Sequence, residues 1–167
     1  MKKILSLLLC IFLLLGFTGC HNNSSAITLN FYYPLENYGY DTVEEKFHPQ
    51  SVDVEIREDI QYISARQVLG EYLKGPIDPA LMNPFPLELE LLDLSIDSKV
   101  LYITLSDQLA DLSGVPLTIA CSCLAKTAMT IASVSKVEIK CQTQLLDGKK
   151  ALTFSADTAI FDDHIIE

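Results

Sequence analysis

Apolar and polar positions divide the chain into a leader, a tether and a folded body. Lys2 and Lys3 precede an apolar run from Ile4 to Leu15, and the polar stretch His21 to Ser25 follows shortly after. Beyond that, the periods become those of strands and helices. Ile27, Leu29 and Phe31 alternate with polar neighbours, which predicts a strand over 27–33 that Pro34 ends. Residues 34–51 are polar and acidic and read as a loop. Val52, Val54 and Ile56 alternate with Asp53, Glu55 and Arg57, the pattern of a short half-buried strand.

From about residue 60 to Lys74 the period changes to that of a helix, with a stripe of Tyr62, Ala65, Val68, Leu69, Tyr72 and Leu73. Asp59 is placed to cap it, and Gly75-Pro76 to stop it. A Pro-rich connector spans Pro76 to Pro86. Leu87 to Ile96 reads as a strand whose apolar phase slips by one, the signature of a bulge near Leu91-Leu92. A tight turn at Asp97-Ser98 leads into a strand from Val100 to Leu105. Ser113 then caps a second helix over 114–131 whose stripe is Leu117, Ala120, Cys121, Leu124, Ala128 and Ile131. A strand from Val134 to Cys141, a turn at Asp147-Gly148, a short strand over 151–154 and a polar tail complete the pattern. The expected fold is a single α+β domain over 27–167, two helices packed on one face of a mainly antiparallel or mixed sheet.

The leader run is about a dozen residues, shorter than the roughly 20 needed to span a bilayer as a helix. Residues 1–19 therefore read as a cleaved signal peptide. The run stops at Phe17-Thr18-Gly19-Cys20, which resembles the lipobox of bacterial lipoproteins, with Phe where Leu is usual. The resemblance implies lipidation at Cys20 and a polar tether over 20–26. Cleavage removes two Lys and no acidic residue, so the mature chain carries a net charge of -12. Anionic headgroups repel such a body, and the anchor must come from acyl chains.

The order of motifs in the body is similar to that of the GerMN domain. Members open with a strand ending in Tyr-Pro, here Tyr33-Pro34, and close the first helix with Leu-x-Gly-Pro, here Leu73 to Pro76. A hairpin ending in Leu-Ser follows, here Leu105-Ser106, and then a helix and a strand with Val at its start, here Val134 or Val137. Where the family carries an Asn-Thr pair, this chain has Ala125-Lys126-Thr127. The resemblance covers about residues 27–148. It implies an extracytoplasmic module, often on a lipoprotein, that works in envelope assembly during sporulation and is similar to ring-building motifs. The family brings no catalytic residues and no cofactor.

Composition sharpens this picture by exclusion. With 22 acidic against 12 basic residues, a nucleic-acid partner is not expected. The mean hydropathy of +0.26 excludes a disordered polyelectrolyte. No nucleophile elbow and no phosphate loop occurs, and His21, His48 and His164 lack ligand spacing, so neither a catalytic nor a metal site is expected. Glu88 and Glu90 alternate with leucines and read as the solvated face of a strand. Cys121 and Cys123 point about 200° apart on a helix. Buried thiols are the expected state, and Cys121 with Cys141 is the one pairing the phase allows. Tyr32, Tyr33, Tyr38 and Tyr40 cluster around the first loop, and Tyr38 and Tyr40 are the candidate partner-binding residues. The expected function is non-enzymatic: a membrane-anchored module that binds an envelope protein or itself. The alternative is a cell-wall ligand binder or an accessory to peptidoglycan hydrolysis.

Overall fold

Strand β1 (Ser25–Pro34) pairs antiparallel with β2 (Phe47–Ile56), bringing Tyr33 opposite His48 and Leu29 opposite Val52. The computed structural model describes residues 25–36, 47–56 and 61–155. The leader, Cys20, His21, the Tyr38–Tyr40 loop, Asp59 and the tail with His164 lie outside the described residues.

The strand β2 begins five residues earlier than the sequence pattern suggests, and it contains Pro49. Pro49 stands opposite Tyr32, whose N–H turns away from β2 and donates to the Thr127 hydroxyl at 3.0 Å. The pair is therefore a non-hydrogen-bonded one, in which the missing proline N–H would face outward. The ladder loses nothing, so a residue that reads as a strand breaker is tolerated here.

Helix α1 (Gln61–Tyr72) buries Val68, Leu69 and Tyr72, with Leu73 just beyond its end. Gly75 follows with φ +98 and takes up its close contact with Asn83: a β-carbon there would lie 2.8 Å from the Asn83 Nδ2. The connector after it is strapped to the hairpin. The Gln50 Oε1 accepts the N–H groups of Ile77 and Asp78, Glu36 N–H donates to Ala80 O, and Met82 N–H donates to Pro34 O. Leu81, Phe85 and Leu89 plug into the core at four-residue intervals.

Strand β3 (Leu91–Asp97) starts four residues later than the alternation of leucines and glutamates predicts. Leu87 to Glu90 form a turn instead, with Glu88 at φ 61 and Leu87 88% exposed. No neighbouring strand supports the alternation there, so periodicity alone does not make a strand. The bulge lies where the phase slip puts it: the register jumps between Leu91 and Asp93. Arg66 on α1 donates through Nη2 to both carbonyls at the bulge, Leu91 O at 3.1 Å and Leu92 O at 2.7 Å.

Strand β4 (Val100–Leu105) returns antiparallel through Ser98 and Lys99, both at positive φ, one residue beyond the expected turn. A short 3-10 segment, Asp107–Asp111, leads to α2 (Gly114–Ala132). The chain then crosses to β5 (Lys136–Cys141), parallel to β4, and β6 (Leu152–Ser155) closes a mixed sheet in the order β3-β4-β5-β6. Leu101, Ile103, Leu105, Val137, Ile139 and Phe154 are all buried on its inner face.

Helix α2 lies between this sheet and the β1–β2 hairpin, so its buried residues extend beyond the expected stripe to Ser122, Cys123, Ala125 and Thr127. Among the described helices it alone is long and apolar enough to cross a membrane, yet half of it is buried as a core helix. Its cap differs from expectation. Ser113 occupies the cap position but its hydroxyl makes no capping bond. Instead the Asp147 carboxylate, from the turn after β5, accepts the Gly114 N–H at 3.0 Å. A carboxylate at a helix amino end also meets the positive end of the helix dipole.

Candidate partner-binding groove

Aromatic side chains lock α1, β1 and the connector together. The Tyr72 ring sits 5.3 Å from Phe31, 4.9 Å from Tyr33 and 5.3 Å from Phe85, the two phenylalanines edge-on. The phenols are crossed: Tyr33 OH donates to Tyr72 O at 2.7 Å, and Tyr72 OH donates to Tyr32 O at 2.8 Å. Burial pushes both phenols well above their ordinary value, so they stay neutral. Tyr33 is thus a core residue and offers no partner a surface. Tyr32 is half-buried, with the Lys126 ammonium 4.4 Å from its ring centroid.

The three described thiols are free and buried. Burial first, then the neighbouring Cys141 and Asp147, push the Cys121 thiol up to about 12. Cys123 and Cys141 are raised too, again first by burial. Such thiols are protonated and poor nucleophiles. Cys141 raises the Cys121 thiol, whereas Cys123 interacts with Lys126 and with the buried tyrosines.

Other polar groups serve the fold. The Asp107 carboxylate accepts the N–H groups of Thr143 and Gln144 and a short bond from the Thr143 hydroxyl, which together hold it below its ordinary value of 3.8. His48 Nε2 and Ser122 Oγ are buried without a hydrogen-bond partner. Among the described residues no three His, Cys, Asp or Glu side chains come together as metal ligands.

One concave feature among the described residues lies on the outer side of α1. It is an open groove of about 710 Å³ between α1 and the turn leading into β3. Arg66 and Gly70, four residues apart on one face of α1, contribute the helix wall, and Lys74 continues it just beyond the helix end. Leu87, Glu88 and Glu90 contribute the opposite wall, with buried Leu73 and Leu89 below. Arg66 is held by the bulge carbonyls, and the Lys74 ammonium pairs with Glu71 at 2.7 Å. Glu88 and Glu90 are exposed, as expected, but as groove residues rather than strand residues.

Sequence reasoning missed two groove residues. Gly70 lies inside a helix, where Gly costs about 1 kcal/mol relative to Ala, and a β-carbon there would meet nothing within 4 Å. Leu87 lies in a Pro-rich segment with its side chain in solvent. A helix-interior glycine that breaks no helix is the signal that could have drawn attention to the first.

No protein-family profile matches the chain, and no curated protein does. Solved structures do. The tandem GerMN domains of the sporulation protein GerM from Bacillus subtilis match with a TM-score of 0.55 and 17% identity, over 81% of this chain and 47% of that one. The chain thus spans about half the length of the tandem protein. The first GerMN domain of the same protein matches with a TM-score of 0.54 and 14% identity, over 71% of this chain and 84% of that one. A protein from Clostridium perfringens described as a candidate lipoprotein matches with a TM-score of 0.48 and 21% identity, over 81% and 92%. The folded body of this chain has a GerMN-like fold.

Proposed function

We propose that the chain is a lipid-anchored, extracytoplasmic module of the cell envelope that holds a protein partner and catalyses no reaction. The observation that carries the proposal is the groove beside α1, where a leucine stands 88% exposed against a bare stretch of helix. An apolar side chain displayed at a concavity favours recognition of another surface. The apolar leader that stops at Gly19-Cys20 supports the anchor, and the GerMN-like fold supports an envelope role, including one in sporulation. The titratable groups with the largest shifts are buried phenols and thiols, which no substrate reaches. The loop of Tyr38 and Tyr40 adds a second recognition surface to this proposal.

Three experiments test it. Metabolic labelling with a fatty-acid analogue marks the wild type and not Cys20→Ala; equal labelling of both removes the anchor. Crosslinking in host membranes yields a defined protein adduct. Hydrolysis of wall fragments by the purified chain, abolished by a single carboxylate or serine substitution, would replace binding with catalysis.

A further inference from the structure

The groove carries information about its occupant. Gly70 gives up helix propensity, yet no atom of the described residues needs the space: a β-carbon there would be free of contacts within 4 Å. This contrasts with Gly75, where the Asn83 side chain leaves no room for one. A bare helix backbone facing an open groove admits a close-packed neighbour from outside. Across from it, Leu87 is 88% exposed and Glu88 holds a left-handed backbone at φ 61, which turns the chain so that Leu87 stands at the groove.

The charges define the second half of the chemistry. Lys74 is neutralised by Glu71, whereas Arg66 is held by the neutral carbonyls of Leu91 and Leu92 and keeps its charge on the helix side of the groove. Glu88 and Glu90 are exposed carboxylates with no ion pair among the described residues. The groove therefore combines an apolar contact with a small net negative charge, three carboxylates (Glu71, Glu88, Glu90) against two cations (Arg66, Lys74), and its acidic side is the Glu88–Glu90 wall. A second copy of the mature chain, net -12, would bring more negative charge to this surface.

Building on the proposed binding function, we infer that the groove receives a basic segment of a different protein. An apolar side chain of that segment packs between Gly70 and Leu87, and flanking Lys or Arg residues meet Glu88 and Glu90. The close approach at Gly70 supplies the shape selection, and the carboxylates supply selection by charge.

The test is selection of a random peptide library displayed on phage, against the full chain in detergent, read by sequencing. Gly70→Leu fills the groove, and because the position is uncrowded it leaves the fold intact, as checked by circular dichroism. Glu88→Gln with Glu90→Gln removes the charge alone. The wild type enriches peptides with an apolar residue flanked by Lys or Arg. Representative peptides lose at least tenfold in affinity on Gly70→Leu and several-fold on the double glutamine variant, with a weaker salt dependence. No enrichment, enrichment of acidic peptides, or binding unchanged by Gly70→Leu overturns the inference. A membrane partner captured equally by wild type and Gly70→Leu also overturns it while leaving the binding function standing. Loss of any partner from the wild type removes the function itself.

Discussion

The two helices have opposite surroundings. α2 has the mixed sheet on one side and the β1–β2 hairpin on the other, so even Ser122 and Thr127 are buried. α1 buries Val68, Leu69 and Tyr72 on one face and leaves Arg66, Gln67 and Glu71 in solvent beside the groove. Under the proposed binding function, a substitution on α2 is answered by stability, whereas one on the outer face of α1 is expected to be answered by binding.

The largest expected effect comes from the place where the helices meet the hairpin. Tyr72→Ala removes a ring from the aromatic cluster and orphans the Tyr32 carbonyl, and should cost about 3–5 kcal/mol in denaturant unfolding. Leu124→Ala on α2 follows at about 2–5 kcal/mol. If Leu124→Ala changes stability by less than 1 kcal/mol, α2 is not the packed centre described above. Thr127→Val comes next, because the buried hydroxyl that accepts the Tyr32 N–H has no substitute; about 1–3 kcal/mol is expected.

Gly70→Ala sharpens the comparison by changing sign. Restoring a β-carbon in open space should stabilise the domain by up to about 1 kcal/mol, seen as a higher midpoint of unfolding. Destabilisation would mean that the groove is already filled by the chain itself. The smallest effect is electrostatic. Asp107 has a carboxyl lowered in the folded state by its bonds from Thr143, so its contribution is present above the ordinary carboxylate range. It fades as pH falls through the lowered value. Asp107→Asn should therefore flatten the acid limb of a stability–pH profile, and an unchanged limb would show that the 142–144 segment does not depend on the charge.

Much of this architecture is legible in the sequence because burial imposes period. Both helices, the bulge at Leu92 and the inward set of Val137, Ile139 and Cys141 follow from spacing alone. The errors fall where a partner element overrides local pattern. Pro49 hides the first half of β2, since only the Tyr32 to Thr127 bond reveals that its position needs no donor. Leu87 and Leu89 alternate with glutamates like a strand, yet no strand stands opposite them. Ser113 precedes α2 as a cap should, but Asp147, 33 residues beyond Gly114, does the capping. The groove was illegible for the same reason: Gly70 and Leu87 are 17 positions apart and meet only through the connector.

The central claim is that α1 presents its outer face to another protein, and a photocrosslinker in living cells tests it most directly. A benzophenone amino acid replaces Leu87 in one strain and the exposed Val115, at the start of α2, in another. One defined protein adduct is expected from position 87, lost on Gly70→Leu, and no such adduct from position 115. Equal adducts from both positions, or none from position 87, would contradict the claim.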